Sequence, residues 1–158
     1  MYITKSIPIA YNDNSESIIQ SPQLTRIITE YFFSLLAGLL EVGPKIHRLF
    51  GFDIILYNDC ADYVLEVCQN LSEYNGHMED VEEDLKYGLR ILHSLQICHC
   101  DVKPDNIMYC PRLKRVVYVD FGLARVVKEE IGYKSLTYFV GTYMYSGEQM
   151  RRLYILKL

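Results

Sequence analysis

Positive charge is in short supply: 16 Lys and Arg face 20 Asp and Glu, giving a formal net charge of −4 spread along the chain. Nucleic-acid-binding domains carry a clustered basic face, and this balance excludes one. Long apolar runs are also missing. The most apolar stretch, residues 27–42, is broken by Glu30 and Glu41 and falls short of the roughly 20 apolar residues that a membrane-spanning helix needs. Residues 1–17 turn polar too early for a secretory leader. Cysteine is sparse and odd in number: Cys60, Cys68, Cys98, Cys100 and Cys110 show no disulfide-like spacing, which points to a reducing compartment, cytoplasmic or otherwise intracellular. Repeats and low-complexity segments are absent. Charged residues, 23% of the chain, are too few for disorder, and the length fits one globular unit.

What is there reads as alternating strands and helices. Residues 2–10 contain the β-branched Ile3, Thr4, Ile7 and Ile9, with Pro8 near the end, and predict a strand. After a polar loop at 12–17, Ser21-Pro22 supplies an N-cap and a first helical residue. Ile27, Ile28, Phe32, Leu35, Leu36, Leu39 and Leu40 recur at helical spacing until Gly43-Pro44, which predicts a helix over 22–42. Strands are expected at 48–57 and 62–68, around the turn Asn58-Asp59. A second helix is expected at 78–97. Its first turns are acidic, through Glu79, Asp80, Glu82, Glu83 and Asp84, and Val81, Leu85, Leu92 and Leu95 form its apolar stripe. A hairpin turning at Pro111-Arg112 is expected over 107–120, and 121–145 reads as loop. These elements make the fold class α+β.

The chemistry sits directly after the second helix, in His99-Cys100-Asp101-Val102-Lys103-Pro104-Asp105-Asn106, and again at the end of the hairpin, in Asp120-Phe121-Gly122. Moving a phosphoryl group to a hydroxyl requires a carboxylate near the attacking oxygen, a cation near the transferring phosphate and oxygen ligands for Mg²⁺. Asp101, Lys103 and Asn106 supply these in turn. Asp120 offers the carboxylate oxygen that a hard cation prefers.

Together, the two segments resemble the catalytic and magnesium loops of eukaryotic-type protein kinases, and Lys103 two places after Asp101 is the serine/threonine pattern. The resemblance implies a two-lobed kinase-like fold. Residues 1–68 would form a reduced small lobe and hinge, and 69–158 the start of the large lobe. It also implies transfer of the γ-phosphoryl group of ATP, with Mg²⁺, to a serine or threonine of a protein partner. Asp101 and Lys103 would be catalytic, while Asn106 and Asp120 would bind the metal. Lys5, tied by Glu30, would hold the ATP phosphates. Tyr63-Val64-Leu65-Glu66-Val67-Cys68 resembles the hinge strand, with backbone groups of Glu66 and Cys68 facing adenine. Gly141-Thr142-Tyr143 through Glu148 resembles the end of an activation segment, with Gly147 in place of a proline.

Departures from the family pattern qualify these expectations. Ile3 falls where the family has alanine, and no glycine-rich loop precedes Lys5. The fold is therefore expected to be truncated at both ends, with the stripe of the second helix needing cover from a partner or a further chain segment. A catalytically silent kinase-like binding module (a pseudokinase), or an incomplete fragment, is the alternative reading. Cys100 replaces the arginine that pairs with a phosphorylated activation segment. Phosphate on Ser135, Thr137 or Thr142 is thus not expected to switch activity by that route. Cys98 and Cys100 are too close for a structural zinc pair, and the resemblance implies instead that His99 packs under Phe121.

Overall fold

One strand organises the N-terminal half. In the computed structural model, which describes residues 1–8, 22–47, 54–56, 60–126, 142 and 144, strand β4 (Cys60–Glu66) pairs antiparallel with β1 (Tyr2–Pro8) on one edge. On the other edge it pairs with two short strands, β2 (Ile46–His47) and β3 (Ile55–Leu56). Alternation along β4 turns Ala61 and Tyr63 into a core with Ile7, Ile27 and Ile46, as the two-residue period of a strand requires.

Helix α1 (Pro22–Leu39) lies against this sheet and serves two cores. Ile27 enters the sheet core, whereas Phe33 and Ala37, further along, join a second core with Val42, Leu92, Tyr118 and Phe121. The helix stops three residues before the expected end. The Val42 amide reaches back to the Ala37 carbonyl at 3.0 Å, and the Glu41 amide to that of Gly38 at 3.4 Å. Glu41 between them has φ 58°, which completes a Schellman motif with Glu where glycine is usual. Val42 and Ala37, both buried, supply its apolar contact. A left-handed residue bearing a Cβ carries a penalty of roughly 1–2 kcal/mol, and Glu41 offsets little of it through its 3.6 Å surface pair with Arg112. Glu41→Gly should therefore stabilise the chain by about 1 kcal/mol, read as a higher urea midpoint at unchanged slope.

The second half is built on α2 (Met78–Ser94) and a three-stranded sheet. In that sheet β5 (Gln69–Asn70) pairs with β7 (Ile107–Cys110), which pairs with β8 (Arg115–Tyr118). Helix α2 packs on β8. The Tyr118 ring lies so close to Gly88 that an added Cβ would meet its Cε2 at 2.8 Å, and the Tyr118 hydroxyl donates to the Leu85 carbonyl at 2.9 Å. Val81 and Leu92 are buried and Leu85 is half-buried. Leu95, expected in the same stripe, lies beyond the last helical residue and is 46% exposed.

The strand at 2–10 is observed as Tyr2–Pro8, and the hairpin and both helices fall where expected. Two features do not follow from the local pattern. Residues 46–47 form β2, and Ile97–Cys98 (β6) pairs with Arg125–Val126 (β9), in a region read as loop. The expected loop at 12–17, the cap at Ser21, most of the strand at 48–57, the turn Asn58-Asp59, Ser135, Thr137, Gly141, Tyr143 and 145–148 lie outside the described residues. Among the described residues, no helix is long and apolar enough to cross a membrane.

Candidate active site

Asp101 lies at the centre of a hydrogen-bonded cluster in the segment between β6 and the 3-10 turn Pro104–Asn106. Lys103 Nζ lies 2.8 Å from its Oδ2. Asn106 Nδ2 donates to the same oxygen at 3.0 Å and to the Asp101 carbonyl at 2.9 Å. Thr142 donates to Oδ1 through both its amide, at 2.8 Å, and its hydroxyl, at 2.7 Å. Lys103 also reaches the Thr142 hydroxyl at 3.2 Å. Burial pushes the Asp101 carboxyl up, but the hydrogen bonds from Lys103 and Thr142 outweigh it and hold the group below the ordinary Asp value. Its hydrogen bond to Asp101 raises Lys103 in turn, against a smaller effect of desolvation. Asp101 is therefore ionised at neutral pH, beside a cation and a hydroxyl. The sequence marked Thr142 as part of a segment end and as a candidate phosphate acceptor; its contact with Asp101 was not read from it.

Behind this cluster His99 is a core residue. Its Nε2 donates to the Val119 carbonyl at 3.0 Å, and its Nδ1 accepts the Asp101 amide at 3.3 Å. The ring packs on Phe121 with centroids 4.7 Å apart. Both nitrogens are occupied only in the neutral Nε2–H form, since a proton on Nδ1 would displace the Asp101 amide. Burial lowers the His99 pKa below 6.5, partly offset by the bond to Val119. A depressed folded value means that the unfolded chain takes up the proton first. The stability is thus complete above pH 6.5 and falls as pH drops below it towards the folded value. Urea midpoints measured from pH 7.5 to 5 should decline, and His99→Phe should flatten that decline.

The second cluster joins the sheet to the segment Asp120-Phe121-Gly122. The Lys5 ammonium on β1 is ion-paired with Glu30 on α1 and lies 3.2 Å from Asp120 Oδ1. Glu30 is 3% exposed and accepts the Tyr63 hydroxyl at 3.3 Å. Burial depresses the Lys5 pKa, but Tyr63, Glu30 and Asp120 outweigh it and leave the ammonium above its ordinary value. Burial also pushes the Tyr63 hydroxyl up to about 12. Asp120 has φ 61°, a left-handed conformation that Asp tolerates better than most residues. The next turn leaves little room for a side chain: a Cβ on Gly122 would lie 3.0 Å from Glu30 Oε2 and 3.3 Å from Asp120 Oδ1.

Between the clusters opens a cavity of about 290 Å³. Lys5, Asp105, Asn106 and Asp120 form its polar end, and Ile3, Leu65, Val67, Met108 and Val119 line its apolar part, with Glu66 and Cys68 on the wall. Glu66 is fixed there: its carboxylate accepts Arg112 Nε at 2.9 and 3.1 Å and the Lys45 amide at 3.2 Å. All eight residues singled out by the sequence thus contribute to one connected region. The polar end suits Mg²⁺ in its donor set. Asn106 spends its amide nitrogen on Asp101, which leaves the amide oxygen, and the Asp120 side chain is 50% exposed with Lys5 on one oxygen. Two oxygen donors with room for waters and phosphates are what this ion usually takes from a protein.

Residues 52–150 match the family model of the protein kinase domain, more than half of the chain. The chain belongs to the protein kinase domain family. Similar kinases include the meiosis-specific serine/threonine-protein kinase mek1 of Schizosaccharomyces pombe, 36% identical over 42% of this chain and 15% of that protein. The inhibitor of nuclear factor kappa-B kinase subunit beta of Mus musculus is 30% identical over 72% of this chain and 15% of that protein. The matched segments span between 8% and 23% of the length of such curated relatives. The structure of the Cydia pomonella granulovirus kinase PK-1 superposes with a TM-score of 0.61 at 18% identity, covering 96% of this kinase chain and 51% of that one. It shares the fold.

Proposed function

We propose that this chain is a protein serine/threonine kinase that transfers the γ-phosphoryl group of ATP to a hydroxyl of a protein substrate. The observation that carries the reading is the linkage of Asp101, Lys103 and Asn106 by hydrogen bonds at one side of a cavity whose other polar wall is Asp120 and Lys5. In this reading Asp101 orients the substrate hydroxyl and takes its proton as the new bond forms, and Lys103 stays beside the transferring phosphate. Lys5, held by Glu30, positions the α- and β-phosphates. The apolar part of the cavity takes the adenine against the backbone of Glu66 and Cys68. Asn106 and Asp120 would hold Mg²⁺, which would neutralise the charge that develops on the phosphates. Residues 1–68 serve as small lobe and hinge, and 69–158 as large-lobe residues. The disulfide-free cysteines fit a reducing, intracellular location.

The test is incorporation of labelled phosphate from [γ-³²P]ATP into Ser/Thr peptides by the purified chain, beside a thermal melt with and without Mg-ATP. Label on serine or threonine, with a higher melting temperature in Mg-ATP, supports the proposal. A raised melting temperature without any label would instead mark a binding module that has lost transfer.

A further inference from the structure

One thiol on the cavity wall, Cys68, and a buried one beside it, Cys110, play no part in the phosphoryl-transfer reading. Strands β5 and β7 run antiparallel with Gln69 opposite Tyr109 and Asn70 opposite Met108. One step back along that register sets Cys68 opposite Cys110, with side chains on the same face. Directly opposed residues of an antiparallel pair have Cα atoms about 4.5–5.5 Å apart, inside the roughly 4.4–6.8 Å that a disulfide spans. The two thiols are in hydrogen-bond contact, and both are free. Their surroundings differ. Cys68 is half-buried on the cavity wall, whereas Cys110 has no exposed surface.

We propose that Cys68 and Cys110 are a redox modification site, closing to a reversible disulfide when the chain meets a peroxide. The chemistry follows from the asymmetry of the pair. The hydrogen bond from Cys68, with help from the amides of Leu113 and Arg112, overcomes burial and lowers Cys110 to about 7, while the same contact raises Cys68. The hydrogen bond thus favours loss of one proton from the pair, and the anion is what reacts. The peroxide reaches Cys68, the sulfur on the cavity. Passing the remaining proton to Cys110 leaves the thiolate on Cys68, which attacks a peroxide oxygen. The O–O bond breaks, the departing hydroxide takes the proton from Cys110 and leaves as water, and Cys68 becomes a sulfenic acid. The Cys110 thiolate so formed attacks the Cys68 sulfur and expels hydroxide, which takes up the proton first lost by the pair and leaves as water. Two thiols and one hydrogen peroxide give one disulfide and two waters. The bond fastens the residue two places after β4 to the strand that begins beside Asn106, so the oxidation state sets how freely the two cavity walls move apart.

The experiment treats the purified chain with hydrogen peroxide, blocks remaining thiols and maps peptides by mass under non-reducing conditions. A peptide pair joined through Cys68 and Cys110 in most chains, lighter by two hydrogens and released by dithiothreitol, is the expected result. Cys98→Ser and Cys100→Ser should leave it unchanged, and Cys68→Ser or Cys110→Ser should remove it. The wild-type map decides the matter even where a serine variant folds poorly. Unlinked Cys68 and Cys110 after treatment, or a dominant link through Cys60, Cys98 or Cys100, would overturn the proposal.

Discussion

Asp101→Asn is expected to lower phosphoryl transfer by about 10²–10⁴-fold, the usual contribution of a positioned general base. Asparagine keeps the size of the side chain and can still accept from Thr142, but it carries no charge and takes no proton. The loss should appear in kcat, with Mg-ATP binding nearly unchanged, because Asp101 contacts Asn106, Lys103 and Thr142 and does not line the cavity proposed to take ATP. Single-turnover transfer and a parallel Mg-ATP melt measure the two quantities separately. A rate within a few-fold of the parent would remove Asp101 from the chemistry. The pH dependence adds a second check. The Asp101 pKa lies below its ordinary value of 3.8, so activity should show no acidic limb from this residue in the range where the fold survives.

The second large effect concerns stability. Phe121 is 1% exposed and packs among Phe33, Leu92, Ile97 and Ala124, with His99 against its ring. Truncating a buried Phe to Ala typically costs about 3–5 kcal/mol, a large share of the ~5–15 kcal/mol that holds a domain together. Phe121→Ala should therefore lower the urea midpoint by an amount equal to about 3–5 kcal/mol, and Phe121→Leu by less than half of that. The effect reaches the site. His99 accepts the Asp101 amide, and its ring loses one supporting face when Phe121 shrinks. A midpoint unchanged by Phe121→Ala would show that the ring is not part of the core.

Sequence and structure agree most closely where the determinants are local. Pro22 at the first helical turn, the apolar spacing through Leu40 and the stop before Pro44 locate α1 to within three residues. The acidic start of α2 and the turn at Pro111-Arg112 work equally well. Agreement is weakest where pairing depends on distant residues. Ile46–His47 is a strand because Val64 and Leu65 offer it an edge, and Arg125–Val126 because Ile97–Cys98 does; two residues hold no periodicity to read. The stripe of α2 was half legible. Val81 and Leu92 are buried as their spacing requires, but Gly88 is also part of the packed face, where the absence of a side chain admits Tyr118. In the candidate site, residue types and order pointed to Asp101, Lys103, Asn106 and Asp120. The approach of Thr142 to Asp101 across 41 positions needed coordinates.

The cap at the end of α1 has a mechanical consequence. Just past it, the Tyr118 amide donates to the Val42 carbonyl at 3.0 Å, and a Cβ on Gly43 would lie 3.2 Å from the Tyr118 carbonyl. The C-terminal end of the rod is thereby pinned to the strand leading into Asp120, while Glu30 rides about 14 Å from the last helical residue, Leu39, at 1.5 Å per residue. On a lever of that length, a tilt of about 10° displaces the carboxylate by about 2 Å, enough to part it from Lys5. Small rotations about a fixed pivot are amplified into making or breaking one ion pair.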